Sequence, residues 1–218
     1  MDPFTLLDEA CRKRSGDAVF CGHVRLDYPG LRELVLRAGR DLEALGARPG
    51  DRVAALFPNC HLYLAVYFAA LLRRFVLVPL NLRLSPREMH SILDHSGARL
   101  LIGDPVLAAP LLAGAAQAGE GWVAGRSGAA GAGAEQAAPP DAAHLYYTSG
   151  TTGRPKGVVL TRGNLAAHVE LTLAELGFGA GDIWLHAAPM FHLADAWAVW
   201  TATAAGAAHV LLPRFEPS

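Results

Sequence analysis

Two stretches of this chain follow one plan, and that plan restricts the fold more than any other feature. Leu45-Gly-Ala-Arg-Pro-Gly-Asp51 and Leu176-Gly-Phe-Gly-Ala-Gly-Asp182 share the pattern LGxxxGD. Each lies between a helix-like and a strand-like segment, and a proline (Pro58 or Pro189) follows each strand. The physical content is an α-to-β turn: glycine ends the helix, and Gly-Asp opens the strand. The likeness extends past the turn into a further helix and strand, so we read two similar βαβ lobes.

The rest of the chain supports strands that alternate with helices. A proline at the first helical position marks a short helix from Asp2-Pro3 to about Arg14. Ala18–Cys21 and Val24–Tyr28 read as a hairpin about Gly22-His23. Leu31, Leu34, Val35, Ala38, Leu42 and Leu45 recur at three and four, one apolar helix stripe that ends at Gly46. Then come a strand (Arg52–Leu56), a helix (Asn59–Arg73), a strand (Phe75–Pro79), a helix (Pro86–His95) opened by a Ser85-Pro-Arg-Glu88 capping box, and a strand (Arg99–Ile102). Such alternation predicts an α/β fold of parallel-sheet βαβ lobes. Residues 108–143 are rich in alanine and glycine. A helix near Leu111 and a strand at Trp122–Ala124 are expected there, with Gly125–Pro140 a surface loop. The expected division is a first lobe over 1–124, a linker over 125–143 and a second lobe over 144–218.

Composition narrows the function. A 52% hydrophobic content supports a large core, and a formal net charge of -1 argues against a nucleic-acid footprint or a polybasic membrane patch. Cys11, Cys21 and Cys60 are odd in number and lack CxxC spacing, so they read as free or buried thiols of a reducing compartment. The acidic N-terminus has no apolar signal region. The longest apolar run, Leu62–Leu72, falls short of the ~20 residues that span a bilayer. Ala196–Ala208 reads as a buried helix. These features point to a cytoplasmic protein.

The chemistry concentrates in His144-Leu-Tyr-Tyr-Thr-Ser-Gly-Thr-Thr-Gly-Arg-Pro-Lys-Gly-Val-Val-Leu160, where hydroxyls, glycines and a lysine stand between two apolar runs. Gly150 and Gly153 permit a turn whose amides converge on a phosphate. Thr148, Ser149, Thr151 and Thr152 add hydroxyls, and Lys156 adds charge. Seventeen of the 19 basic residues are arginine. A lysine here points to a compact ammonium rather than a guanidinium fork. The loop does not fit GxxxxGK[ST], because Gly157 follows the lysine, so a P-loop NTPase is a poor reading. A polar hairpin built of turn-forming residues is the plain alternative.

Thr148-Ser-Gly-Thr-Thr-Gly-Arg-Pro-Lys-Gly157 resembles, without a gap, the signature of the adenylate-forming enzymes: acyl-CoA synthetases, aryl-CoA ligases, luciferases and peptide-synthetase adenylation domains. Leu45–Asn59, Val76–Ile102 and Ala188–Trp197 resemble further segments of that family in order. The resemblance implies the first part of the large N-terminal domain of such an enzyme. It implies a carboxylic acid–CoA ligase, of the kind used in fatty acid metabolism, that passes through an acyl-adenylate. ATP, Mg²⁺ and coenzyme A are the implied cofactors. Thr148, Ser149, Gly150, Thr151, Thr152, Gly153 and Lys156 would grip the β- and γ-phosphates, with Thr148 or Ser149 near Mg²⁺. His192, beside Phe191, would border the acid. The family's aromatic-Gly-x-Thr-Glu and Thr-Gly-Asp motifs are absent from the sequence, so the chain alone is expected to be catalytically incomplete. A non-catalytic nucleotide-binding or interaction module derived from the family is the alternative. A truncated sheet would expose an edge or an apolar face and favour self-association. Arg73-Arg74-Phe75 replaces the family's small turn, so this turn is expected to be crowded or exposed. Asp195 is read as the cap of a helix that runs to about Ala205.

Overall fold

The computed structural model describes residues 5–112, 116–119, 121–126, 139–148 and 156–214. In chain order the elements are α1 (Leu6–Lys13), β1 (Asp17–Cys21), β2 (Val24–Asp27), α2 (Tyr28–Ala44), β3 (Arg52–Leu56), α3 (His61–Leu72), β4 (Val76–Pro79), α4 (Pro86–Ser96), β5 (Leu100–Gly103) and α5 (Pro105–Ala108). A 3₁₀ turn at Ala109–Leu111 precedes β6 (Ala116–Gly119), β7 (Trp122–Arg126), β8 (Ala142–Thr148), β9 (Lys156–Thr161), α6 (Arg162–Leu176), β10 (Ile183–His186), α7 (Leu193–Ala205) and β11 (Ala208–Leu211).

These elements form two units, each with its own sheet. One comprises residues 1–38, 58–69 and 162–218, and its four strands lie in the order β10-β11-β1-β2. The other comprises 39–57 and 70–161, and its seven strands lie in the order β6-β7-β5-β3-β4-β8-β9. The α/β class and the alternation expected from the sequence are observed. The division is not the contiguous one expected. The N-terminal hairpin β1–β2 joins β11 through the parallel pairs Val19↔His209 and Phe20↔Val210, while β8 joins β4 through Leu77↔His144. Strand pairing is a long-range choice, and local pattern does not reveal it.

In the seven-stranded sheet, β5, β3, β4 and β8 run parallel, and β7, β6 and β9 close the two sides in antiparallel fashion. The central strands read as continuous apolar runs because they are covered on both faces: all of β4 and β5 is buried. The capping box on α4 is present. The Ser85 hydroxyl accepts from Glu88 N, and the Glu88 carboxylate accepts from Ser85 N at 2.8 Å. From that start, Met89, Ile92 and Leu93 meet Leu56, Val78, Leu80 and Leu101 in one core. Gly125 and Arg126, expected in a loop, instead extend β7 opposite Leu101 and Leu100. The Asp2-Pro3 start of the first helix and most of the expected linker lie outside the described residues.

The LGxxxGD echo is a structural repeat. The Asp51 carboxylate accepts from Arg48 N, and that of Asp182 accepts from Gly179 N, both at 2.8 Å. The carbonyls of Asp51 and Asp182 accept from the first amides of the parallel neighbour strands, Val76 N and Ala208 N, both at 2.9 Å. The helices that precede those neighbours end alike. Phe75 N donates to Ala70 O and Ala207 N to Ala202 O, each across a left-handed residue. In one turn that residue is Gly206 (φ 77°), and in the other it is the exposed Arg74 (φ 60°). The unusual Arg73-Arg74 turn is therefore accommodated by exposure, with Arg73 turned back toward Glu43 at 3.5 Å.

Among the described residues no helix is long and apolar enough to cross a membrane. Ile183 and Leu185 on β10 are exposed at 61% and 48%, and Leu171 and Leu176 of α6 are also exposed.

Candidate functional site

The strands β8 and β9 flank the hydroxyl-rich segment of the sequence. Burial falls toward the end of β8: Ala142, Ala143 and His144 are buried, Leu145 is half-buried, Tyr146 is buried, Tyr147 is half-buried and Thr148 is exposed. The chain thus leaves the core one residue before the loop. β9 begins at Lys156, which pairs with Thr148 across the two strands, and its first four residues are exposed. The pairing continues through Tyr147↔Gly157 and Tyr146↔Val158, and this sets the register at the loop's base. Thr148 and Lys156 therefore stand side by side with exposed side chains, an alcohol next to an ammonium. Ser149, Gly150, Thr151, Thr152 and Gly153 lie outside the described residues.

Tyr147 anchors this base. Its hydroxyl hydrogen-bonds His95 Nδ1 at 2.8 Å, with the rings edge to face at 5.7 Å. Burial pushes the Tyr147 hydroxyl up to about 12, so it stays protonated at neutral pH. Gly157 opposite leaves little room for a side chain: a Cβ there would come within 3.0 Å of Leu145 Cδ1 and 3.3 Å of the Tyr147 ring.

His192 belongs to the other unit. It lies immediately before α7, where it serves as the N-cap position without a side-chain capping bond, and its ring is 4.6 Å from that of buried Phe191. The segment from His186 to Met190 that leads to it is held by buried Asn59. Asn59 Nδ2 donates to Ala188 O at 2.7 Å and His186 O at 3.0 Å, and its Oδ1 accepts from Met190 N at 2.8 Å. The Tyr67 hydroxyl donates to Met190 O at 2.6 Å. In the sequence Asn59 stands within the Leu45–Asn59 segment with nothing to mark a role of its own. A lone Asn before a helix has too many ordinary uses to signal a clamp on residues some 130 positions away.

Asp195 does not cap the helix. It sits in the first turn of α7, 2% exposed, with Oδ2 2.7 Å from His186 Nδ1 and Oδ1 accepting from Trp184 Nε1 at 3.2 Å. The helix is already entered at His192, so the carboxylate is free to turn inward. Behind it, His186 Nε2 meets His209 Nδ1 at 2.9 Å, and His209 Nε2 meets Thr203 Oγ1 at 3.0 Å. The available signal is a single histidine in each of two otherwise apolar strand segments, at the end of IWLH and inside AAHVLL. Among the described residues no group of three His, Cys, Asp or Glu is placed to hold a metal ion.

The sequence matches the AMP-binding enzyme family over residues 7–218. It is 40% identical over 211 residues to a feruloyl-CoA synthase of Amycolatopsis sp, covering 92% of this chain and 41% of that protein. It is 32% identical to a long-chain-fatty-acid–CoA ligase of Mycobacterium tuberculosis, covering 88% of this chain and 41% of that protein. This chain thus spans well under half the length of these relatives. The inhibitor-bound N-terminal domain of FACL13 from Mycobacterium tuberculosis superimposes with a TM-score of 0.81 at 27% identity, over 99% of this chain and 58% of that one. The O-succinylbenzoate coenzyme A synthetase of Bacillus subtilis in complex with AMP gives 0.78 at 26% identity, over 97% and 56%. The fold, the paired strand ends around the signature loop and these likenesses agree: the chain belongs to the AMP-binding enzyme family, of which it carries an N-terminal part.

Proposed function

We propose that this chain is the N-terminal part of an ATP-dependent, AMP-forming carboxylic acid–CoA ligase, in which it supplies the polyphosphate grip and one wall of the acid site. The observation that carries the reading is the pairing of Thr148 and Lys156 on neighbouring strand ends, on either side of the signature segment in the sequence. An exposed hydroxyl and an exposed ammonium at the edge of a rigid sheet fit a phosphate chain. The ammonium neutralises charge that grows on the departing pyrophosphate, and the sheet fixes where it does so. Mg²⁺, when bound with the nucleotide, would offset its negative charge, and Thr148 and Ser149 are the residues of this chain that would hold it. Gly150, Thr151, Thr152 and Gly153 complete the proposed phosphate contacts. His192, with Phe191 at its side, is the residue proposed to border the acid.

The acid is an aromatic or aliphatic carboxylate, the two classes named by the feruloyl and long-chain relatives. Coenzyme A is the proposed thiol. The free thiols of Cys11, Cys21 and Cys60 suit a reducing compartment, and we place the protein in the cytoplasm.

The test is titration calorimetry of ATP with Mg²⁺ into this chain and its Lys156→Ala variant. A charge-assisted hydrogen bond is worth about 1.5–3 kcal/mol. The variant should therefore bind roughly ten- to a hundredfold more weakly. Equal affinity would remove the physical basis of the reading. In parallel, pyrophosphate exchange into ATP with ferulate and fatty acids should be negligible for the 218-residue chain. Robust exchange would refute its proposed incompleteness.

A further inference from the structure

The chain Trp184–Asp195–His186–His209–Thr203 runs through the interior of one unit, with both histidines and Thr203 0% exposed. The family assignment does not use it, and its protons can be counted. Thr203 Oγ1 is 2.8 Å from Val199 O. A carbonyl only accepts, so the hydroxyl proton points there, and the Thr203 oxygen must accept from His209 Nε2–H. A neutral His209 then has its lone pair on Nδ1, and His186 Nε2 must donate to it. Burial, helped by His186 and Arg14, holds His209 well below the ordinary histidine range, in agreement with a neutral ring. One more proton must lie in the 2.7 Å contact between His186 Nδ1 and Asp195 Oδ2. Asp195 Oδ1 accepts from the indole N–H of Trp184, and the carboxylate stands in the first turn of α7, where negative charge is favoured, so this proton is assigned to His186 Nδ1.

We propose that His186 carries both ring protons and forms a buried imidazolium–carboxylate pair with Asp195, and that this pair positions the loop bearing Phe191 and His192. The pair ties the last residue of β10 to the first turn of α7, so it closes the loop at its two ends. The backbone of His186 is held by Asn59 at the same time. The remaining titratable or charged groups around the chain are Tyr28, edge-on to His209 at 6.5 Å, and Arg14 and Lys13, whose cations are taken up by Ala180 O and Ala204 O. None of these three is an anion, so among the described residues Asp195 is the anion paired with the ring.

The importance of the loop rests on the proposed function, but the test uses neither ATP nor an acid. Ring-nitrogen NMR of the labelled chain near neutral pH should show His186 with two protons and His209 with one, on Nε2. The Asp195 carboxyl carbon should report an anion. In Asp195→Asn, His186 should lose its second proton, and the Met190 amide should exchange at least about tenfold faster. A singly protonated His186 or a protonated Asp195 in the unmodified chain overturns the ion pair. Unchanged Met190 exchange in Asp195→Asn overturns the positioning role. If that variant does not fold, the two measurements on the unmodified chain still decide the ion pair. Met190 exchange in Trp184→Phe, which weakens the anion's second contact, then decides positioning: acceleration supports it and no change refutes it.

Discussion

Replacing Asn59 by alanine tests the clamp that fixes the segment before His192. The side chain makes three hydrogen bonds from a 4% exposed position, but the three partners do not lose equally. His186 O keeps a second donor, Leu212 N at 3.3 Å, so its loss is about 0.5 kcal/mol. Ala188 is exposed, and water can replace the amide there at a similar cost. Met190 N is buried and would be left without an acceptor, which costs about 1–3 kcal/mol. With the small cavity added, the total is about 3 kcal/mol. Urea denaturation followed by tryptophan fluorescence measures it. Trp184, Trp197 and Trp200 report on the unit that contains the clamp, and Trp122 can be replaced by phenylalanine to silence the other. Asn59→Asp supplies the control. It keeps the acceptor for Met190 but turns a carboxylate oxygen toward two carbonyls at 2.7 and 3.0 Å, so it should be at least as damaging as alanine. A loss below about 1 kcal/mol for alanine, or an aspartate milder than alanine, would refute the hydrogen-bond account.

Two further outcomes follow from the same structure. Arg74 adopts a left-handed conformation that Gly206 fills in the repeat, so Arg74→Gly should stabilise by about 0.5 kcal/mol, the relief of steric cost exceeding the added chain entropy. Thermal melting should rise by about one to two degrees, and a fall would contradict the reading. His209 is held below its unfolded value of 6.5. The unfolded chain therefore binds a proton that the folded chain refuses. This group's contribution to stability is complete above that value and falls as pH drops below it, by at most about 1.4 kcal/mol per pH unit. Chemical denaturation across that range should show a shallower acid decline for His209→Gln, and an identical decline would remove His209 from the account.

Local chemistry was legible where one short segment settles the outcome. The Ser85 capping box, the stripe from Leu31 to Leu42 and the aspartate turns at Asp51 and Asp182 each close their hydrogen bonds or bury their apolar face within a few residues, so composition and spacing are enough. Asp195 shows the limit. Its position near a helix start made a cap the plain reading, yet its partners, His186 and Trp184, lie on a different element.

By itself the sequence determined the α/β class, the repeated helix-turn-strand device and the family. All of these depend on residues adjacent in the chain. Only the tertiary structure decided that β1 and β2 pair with β11 across nearly the whole chain length, that Asn59 holds Met190, and that two histidines and an aspartate share one line of protons. Those outcomes depend on which distant polar groups must satisfy one another once water is excluded, and a one-dimensional pattern does not carry that information.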